Sequence, residues 1–97
     1  MTFEEMIYSE LKHIPEGSVT SYGDLAKRAG FPNHARHVGA LLKNLPKDTR
    51  LPWHRVVNSQ GKISLPDHSK SYAIQRDRLE EEGIVFINNR IHKSYFV

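Results

Sequence analysis

Apolar residues near the N-terminus recur at the three- and four-residue spacing of an amphipathic helix. Thr2 and Glu5 form the sequence of a capping box at its start, and Pro15 lies where the helix must stop. The pattern therefore predicts a first helix of about 12 residues. The side chains of its buried stripe are Phe3, Met6, Ile7, Leu11 and Ile14.

Two more helices are predicted in the first half of the chain. Ser21 is positioned to cap the first of them, which carries Leu25 toward the core. Gly30 lies in the break that follows, and the next helix is predicted over residues 34–44. Two helices joined by a short turn with glycine favour a helix-turn-helix.

The third helix has an unusual outer face. Its buried stripe consists of Val38, Leu41, Leu42 and Leu45. The opposite side carries the small residues Gly39 and Ala40 between the cations Arg36 and Lys43. Because a solvated face usually holds long polar side chains, this surface suits close approach of an anion to the backbone. The alternative, that Gly39 only packs against a neighbouring helix, stays open.

The second half of the chain begins with a proline-containing segment that lacks helical periodicity. Extended pieces at residues 55–57 and 62–65, around a turn at 58–61, predict a small hairpin. Ser69 or Ser71 is expected to start a fourth helix that reaches Glu82.

The expected surface of this helix and the chain after it complete the prediction of secondary structure. Arg76 with Glu80 and Arg78 with Glu82 have the i,i+4 spacing of ion pairs on a solvated face. Residues 84–87 and 90–92 flank two asparagines, which predicts a terminal hairpin.

Composition sets the class of protein. A chain of 97 residues predicts one domain over residues 1–97, too small for a large buried cofactor. The sequence has no cysteine, which removes thiol nucleophiles and agrees with a cytoplasmic location. No apolar run is long enough to span a bilayer, so no membrane partner is expected. The formal charge of +3 makes nucleic acid a plausible partner.

Metal and hydrolase sites are not supported by the motifs. His34 and His37 are three residues apart, and His54 and His68 lie in the loop region, but no paired-ligand motif accompanies them. There is no Gly-x-Ser-x-Gly sequence for a nucleophile elbow. We therefore expect no metal site, no cofactor and no hydrolase active site.

The only tryptophan of the chain, Trp53, follows Pro52 in the loop region. An indole is costly to leave exposed, so it would serve either as a plug in the core or as a flat surface on which an unpaired base stacks. Both interpretations stay open on the residues alone.

Several separated motifs resemble the DNA-binding domain of O6-alkylguanine-DNA alkyltransferases. The matching segments are residues 14–26, 35–39, 43–46 and 81–83, together with Pro52-Trp53-His54-Arg55-Val56. In the last motif Trp53 stands where the alkyltransferases have their cysteine, which is the mark of the alkyltransferase-like proteins. The resemblance implies a mainly α fold with a small β-hairpin component, a winged-helix-like helix-turn-helix domain.

The resemblance also implies which residues contact DNA. The second helix of the helix-turn-helix would lie in the minor groove, which fits the face of Gly39 and Ala40. Arg36 matches the arginine that fills the gap left by an extruded nucleotide, and Tyr22 matches the tyrosine that helps to rotate that nucleotide outward. Beyond what the resemblance implies, we expect further phosphate contacts from Ser21 and Lys43.

A pocket for the modified guanine is implied around the loop of the tryptophan. Its expected lining is Trp53, Tyr22, Val56 and Val57. The residues that match the hydrogen-bonding network of the enzymes, here with a supporting role, are Asn44, His54 and Glu82. Some relatives place an arginine near Pro66, and this sequence has none at that position.

These implications lead to a non-enzymatic protein that binds O6-alkylguanine in duplex DNA, flips the base and flags it for nucleotide excision repair proteins. We expect a monomer. Two alternatives remain: a sequence-specific helix-turn-helix regulator, and a repair enzyme in which His54 activates water without a cysteine nucleophile.

Overall fold

The computed structural model describes all residues, 1–97. They form four α-helices and four strands of two residues each. The helices are α1 (Phe3–Lys12), α2 (Tyr22–Arg28), α3 (Ala35–Lys43) and α4 (Lys70–Glu81). The strands are β1 (Thr20–Ser21), β2 (Val56–Val57), β3 (Phe86–Ile87) and β4 (Arg90–Ile91). Two 3₁₀-helices cover Trp53–Arg55 and Lys93–Tyr95. The mainly α fold with a small hairpin is confirmed.

The predicted capping box starts α1. The Thr2 hydroxyl accepts a hydrogen bond from the Glu5 amide at 3.1 Å, and the Glu5 carboxylate accepts one from the Thr2 amide at 3.1 Å. The helix ends at Lys12, before Pro15, so it is shorter than predicted. Its apolar stripe turns Ile7 and Leu11 into the interior.

The helix-turn-helix is formed by α2 and α3. The Ser21 hydroxyl caps α2 by accepting a hydrogen bond from the Asp24 amide at 3.1 Å. Val38 and Leu42 of α3 are buried against α1 and α2, while Leu41 and Leu45 are partly buried at the edge of the same cluster. The first core cluster consists of Ile7, Leu11, Leu25, Ala26, Ala29, Val38, Leu42 and Val56.

The hairpin predicted over residues 55–65 is wrong. Strand β2 pairs in parallel with β1, so that Thr20 lies opposite Val56 and Ser21 opposite Val57. The predicted turn does form, since the Asn58 side chain accepts hydrogen bonds from the amides of Gln60 and Lys62 at 3.0 and 2.9 Å, but residues 62–65 form no strand, and β2 pairs with β1 instead.

The C-terminal third of the chain follows its local signals. The Ser69 hydroxyl accepts a hydrogen bond from the Tyr72 amide at 3.1 Å and starts α4. Strands β3 and β4 pair antiparallel around Asn88 and Asn89, whose φ angles of 53° and 60° are those of a type I′ turn. The second core cluster consists of Val19, Val57, Ile63, Leu79, Ile84 and Ile91. None of the helices has the length and apolar character needed to cross a membrane.

Candidate nucleic-acid interface

The outer face of α3 is open and cationic. Arg36, Ala40 and Lys43 are exposed, and neither cation takes part in a salt bridge. A Cβ atom built on Gly39 would meet only ring carbons of Tyr22, at 3.9 and 4.0 Å, which is ordinary van der Waals contact. The packing of the protein therefore does not require glycine at position 39. Its absence of a side chain instead leaves the backbone accessible from outside.

Tyr22 connects this face to the loop after β2. It is the first residue of α2 and follows β1 directly, so the buried strand pair fixes its backbone. Its ring lies against Gly39, and its hydroxyl lies 2.8 Å from the hydroxyl of Ser64. Tyr22 is half-buried, which leaves part of the ring available at the surface beside α3.

Ser21 caps α2, as the sequence predicted. The residue is only 6% exposed, and its hydroxyl is hydrogen-bonded to the Asp24 amide at the start of α2. The hydroxyl is used in the cap of α2, and the contact of Ser21 with a phosphate stays a prediction. Ser21 also lines an open cavity of about 430 Å³. Its other lining residues include Lys27, Asn58 and Ser59, which were not predicted to belong to the site. These polar residues surround a space beside Tyr22.

Trp53 lies at the start of the 3₁₀-helix that leads into β2. Its side chain is half-buried and belongs to neither core cluster. The centroid of its ring is 6.4 Å from that of His54, and the guanidinium carbon of Arg78 is 5.6 Å from the Trp53 ring centroid. The interpretation of Trp53 as a plug in the core is therefore not supported.

Val56 and Val57 do not line an open pocket, contrary to the prediction. They are 1% and 0% exposed, respectively. Because β2 pairs with β1 inside the molecule, Val56 packs in the first core cluster and Val57 in the second. Their apolar side chains stabilise the strand pair that carries the site.

A buried polar network lies behind Trp53. The Glu82 carboxylate accepts hydrogen bonds from Arg55 Nη2 at 2.8 Å and from the Gly17 amide at 3.1 Å, and its Oε2 lies 2.7 Å from His54 Nε2. Arg55 Nη1 also donates to the Ile14 carbonyl at 2.8 Å. The network thus joins the end of α4, the turn after α1 and the 3₁₀-helix of Trp53.

The protonation states in this network follow from its burial and its donors. Burial would raise the pKa of Glu82, but the donors from Arg55, His54 and Gly17 outweigh it and lower that pKa to about 2. Burial lowers the pKa of His54, and the charges of Arg55 and Arg78 act in the same direction, against the attraction of Glu82. Because an ionised carboxylate can only accept, the proton of this contact is on His54 Nε2, and the lowered pKa of His54 favours the neutral ring. Its Nδ1 is buried without a hydrogen-bond partner.

Two predicted contacts of this region are wrong. Asn44 does not join His54 and Glu82, because it lies exposed at the end of α3 and its Nδ2 donates to the Ala40 carbonyl at 3.0 Å. Arg78 does not pair with Glu82, whose carboxylate is turned inward onto Arg55. The predicted pair of Arg76 with Glu80 does form, at 3.8 Å.

Sequence reasoning missed two residues that support the site. Arg55 binds Glu82 from a position next to His54, and no spacing rule indicates a contact across 27 residues. Gln75 is buried and its Nε2 donates to the carbonyl groups of His54 and Val56 at 3.2 and 2.9 Å. The available signal was that Gln75 lies one helical turn before Leu79, on the buried face of α4.

A family model matches most of the chain. The sequence model described as "6-O-methylguanine DNA methyltransferase, DNA binding domain" matches residues 2–84. A protein of Vibrio parahaemolyticus called "DNA base-flipping protein" is 50% identical over 82 residues, which cover 84% of this chain and 80% of the relative. "Alkyltransferase-like protein 1" of Schizosaccharomyces pombe is 46% identical over 82 residues, which cover 84% of this chain and 76% of the relative.

A solved structure is similar over nearly the whole chain. It is the crystal structure of S. pombe Atl1 in complex with damaged DNA containing O6-carboxymethylguanine. The TM-score is 0.84 at 40% sequence identity, and the match covers 98% of this chain and 94% of the other. The arrangement of helices, including the pair α2 and α3, is therefore shared with a protein that has been crystallised on damaged DNA.

Proposed function

Because the chain belongs to the family of the DNA-binding domain of 6-O-methylguanine DNA methyltransferase, we propose that it binds O6-alkylguanine lesions in duplex DNA without repairing them. In this proposal α3 enters the minor groove, the modified base is flipped, and Trp53 walls the site that receives it. The observation that carries the proposal is the half-buried Trp53 beside the His54–Glu82 network.

The outer face of α3 supports binding through the minor groove. The missing side chain at Gly39 has no internal explanation, whereas a backbone that must approach a sugar-phosphate chain closely gives one. Arg36 and Lys43 flank it as exposed cations without a salt-bridge partner. We assign Arg36 to the space left by the extruded nucleotide and Lys43 to a phosphate.

Tyr22 is suited to act on the flipped nucleotide. Its ring borders the α3 face, and its hydroxyl, which now contacts Ser64, can donate to a phosphate oxygen instead. The nearby cavity with Lys27 and Ser59 offers space and polar groups for the adjoining backbone. Contacts of this kind position the duplex and contribute affinity without reading its sequence.

The chain is not an enzyme of the alkyl-transfer type. It contains no cysteine, and the indole of Trp53 provides no nucleophile comparable with a thiolate. His54 Nε2 is engaged by Glu82, so that the imidazole has a structural role in holding the 3₁₀-helix. A lesion that is bound and left intact must be removed by other proteins, and we propose that a monomer in the cytoplasm presents it to nucleotide excision repair.

A gel-shift comparison tests the proposal. Two duplexes of one sequence, one with guanine and one with a single O6-methylguanine, are titrated with the protein, and the oligonucleotides are then analysed by mass spectrometry. We expect tighter binding of the modified duplex and an unchanged mass. A converted base would indicate an enzyme, and equal binding of both duplexes, combined with discrimination among undamaged sequences, would indicate a regulator.

A further inference from the structure

Arg78 is a cation without an acidic partner at the edge of the proposed lesion site. Its neighbour one turn later, Glu82, is fully engaged by Arg55 and His54, and no salt bridge includes Arg78. The residue is exposed on α4. An arginine that is held near an aromatic ring and not neutralised by a carboxylate remains able to bind an anion with its planar fork.

The position of this guanidinium is set by Trp53. The Arg78 guanidinium carbon lies 5.6 Å from the Trp53 ring centroid, within the range of a cation–π contact. A group that contacts the indole on the side of Arg78 is therefore near this charge. The two side chains come from α4 and from the 3₁₀-helix, which Gln75 ties together by its hydrogen bonds to the carbonyls of His54 and Val56.

The loop after β2 supplies no comparable cation in its central part. Leu65 and Pro66 are uncharged, and Asp67 lies 3.6 Å from His68 with both side chains exposed. The negative charge of Asp67 opposes the binding of an anion on that side. Of the cations of this region, Arg78 of α4 is the one held over the Trp53 ring, so we assign the positive partner of an acidic substituent to it and not to Lys62 of the loop.

We propose that Arg78 is the residue by which this protein binds O6 substituents that end in a carboxylate. The proposal rests on the proposed function, since it requires the modified base at Trp53. A carboxylate next to the indole would accept two hydrogen bonds from the guanidinium, whereas an O6-methyl group offers no acceptor of this kind. Arg78 would thus separate charged from uncharged adducts, and Trp53 would serve both.

The test compares dissociation constants for three duplexes of one sequence that contain guanine, O6-methylguanine or O6-carboxymethylguanine. Arg78→Gln should weaken binding of the carboxymethyl duplex about three- to tenfold more than binding of the methyl duplex. Arg78→Lys should retain part of this difference, because it keeps the charge and loses the fork. The preference for the carboxymethyl duplex in the unchanged protein should also decrease with salt.

Arg76→Gln is the matched control, since it removes the same charge from the same helix. Arg76 stacks on Phe86, with its guanidinium carbon 4.4 Å from the ring centroid, and donates to Asn89 at 2.8 Å, so it is occupied away from Trp53. It should alter the ratio of the two lesion affinities by less than about twofold. Equal weakening of all three duplexes by Arg78→Gln would overturn the proposal and make Arg78 a general phosphate contact. Absence of any lesion preference in the unchanged protein would instead refute the proposed function.

Discussion

His54 Nε2 lies 2.7 Å from Oε2 of Glu82, and the side chains of both residues are nine-tenths buried. With Arg55 on the same carboxylate, this contact fixes the 3₁₀-helix of Trp53 against the end of α4. The pair is therefore a structural element under the proposed site, and its charge can be tested through stability.

Glu82→Gln should destabilise the fold in a pH-dependent way. The folded pKa of Glu82 is about 2 against an ordinary 4.5, so its ionised form stabilises the protein above pH 4.5, and this contribution is lost as the pH falls toward 2. The shift corresponds to about 3 kcal/mol at neutral pH. Urea unfolding of both proteins at several pH values should show a difference that is full at pH 7 and shrinks below pH 4.5.

Glu80→Gln is the control for this measurement. Glu80 is exposed on the same helix and meets Arg76 at 3.8 Å, a contact that contributes less than about 0.5 kcal/mol in water. If Glu82→Gln and Glu80→Gln lowered the free energy of unfolding equally, the buried network would not stabilise the protein as argued.

Gly39→Ala should separate folding from DNA binding. The new methyl group would make ordinary contact with the Tyr22 ring, and alanine favours a helix by about 0.8–1.0 kcal/mol over glycine, so the melting temperature should be maintained or rise. Binding to lesion-containing duplex should weaken, because the methyl group holds the backbone away from the groove. A less stable protein with unaltered DNA affinity would mean that Gly39 serves internal packing after all.

Tyr22→Phe should weaken lesion binding while changing the free energy of unfolding by about 1 kcal/mol or less, since it removes one exposed hydrogen bond and keeps the ring over Gly39. Ser64→Ala breaks the same internal hydrogen bond but leaves the tyrosine hydroxyl in place. Comparable DNA affinities for the two variants would show that the bond to Ser64, and not a contact of the hydroxyl with DNA, matters.

Arg36→Ala should weaken binding of an O6-methylguanine duplex by about 1 to 3 kcal/mol, because a group that fills the gap in the duplex would be lost. Binding can be followed by the fluorescence of Trp53, the only tryptophan. Lys12→Ala, which removes an exposed cation at the end of α1, should leave the affinity nearly unchanged. An undiminished affinity of Arg36→Ala would contradict the role of Arg36.

The features that local sequence determines were predictable. The capping box of Thr2 and the left-handed pair Asn88 and Asn89 form from neighbouring residues, and both were found where the pattern placed them. The parallel pairing of β1 with β2 was not predictable, since it joins residues that are 36 positions apart and no local sequence pattern links them. The error about Val56 and Val57 follows from it, because an unrecognised buried strand was taken for the wall of a pocket.

The candidate site was predictable to the extent that the resemblance names its positions. His54 and Glu82 do meet, whereas Asn44 and Ser21 are engaged with their own helices. Side-chain direction at a helix end depends on which hydrogen-bond partner is nearest, and a motif does not encode that choice. For the same reason the sequence did not indicate the role of Arg55, whose partner Glu82 lies at the end of the distant helix α4.

The pairing of β1 with β2 has a mechanical consequence for the protein. Tyr22 directly follows β1, and the 3₁₀-helix Trp53–Arg55 directly precedes β2. The backbones of Tyr22 and of the Trp53 segment are therefore both attached to one buried strand pair. Separating Tyr22 from Trp53 would require breaking that pair and opening the interior. The DNA, and not the protein, would then have to deform to bring a base between Tyr22 and Trp53. Weakly paired nucleotides would therefore enter the site most readily.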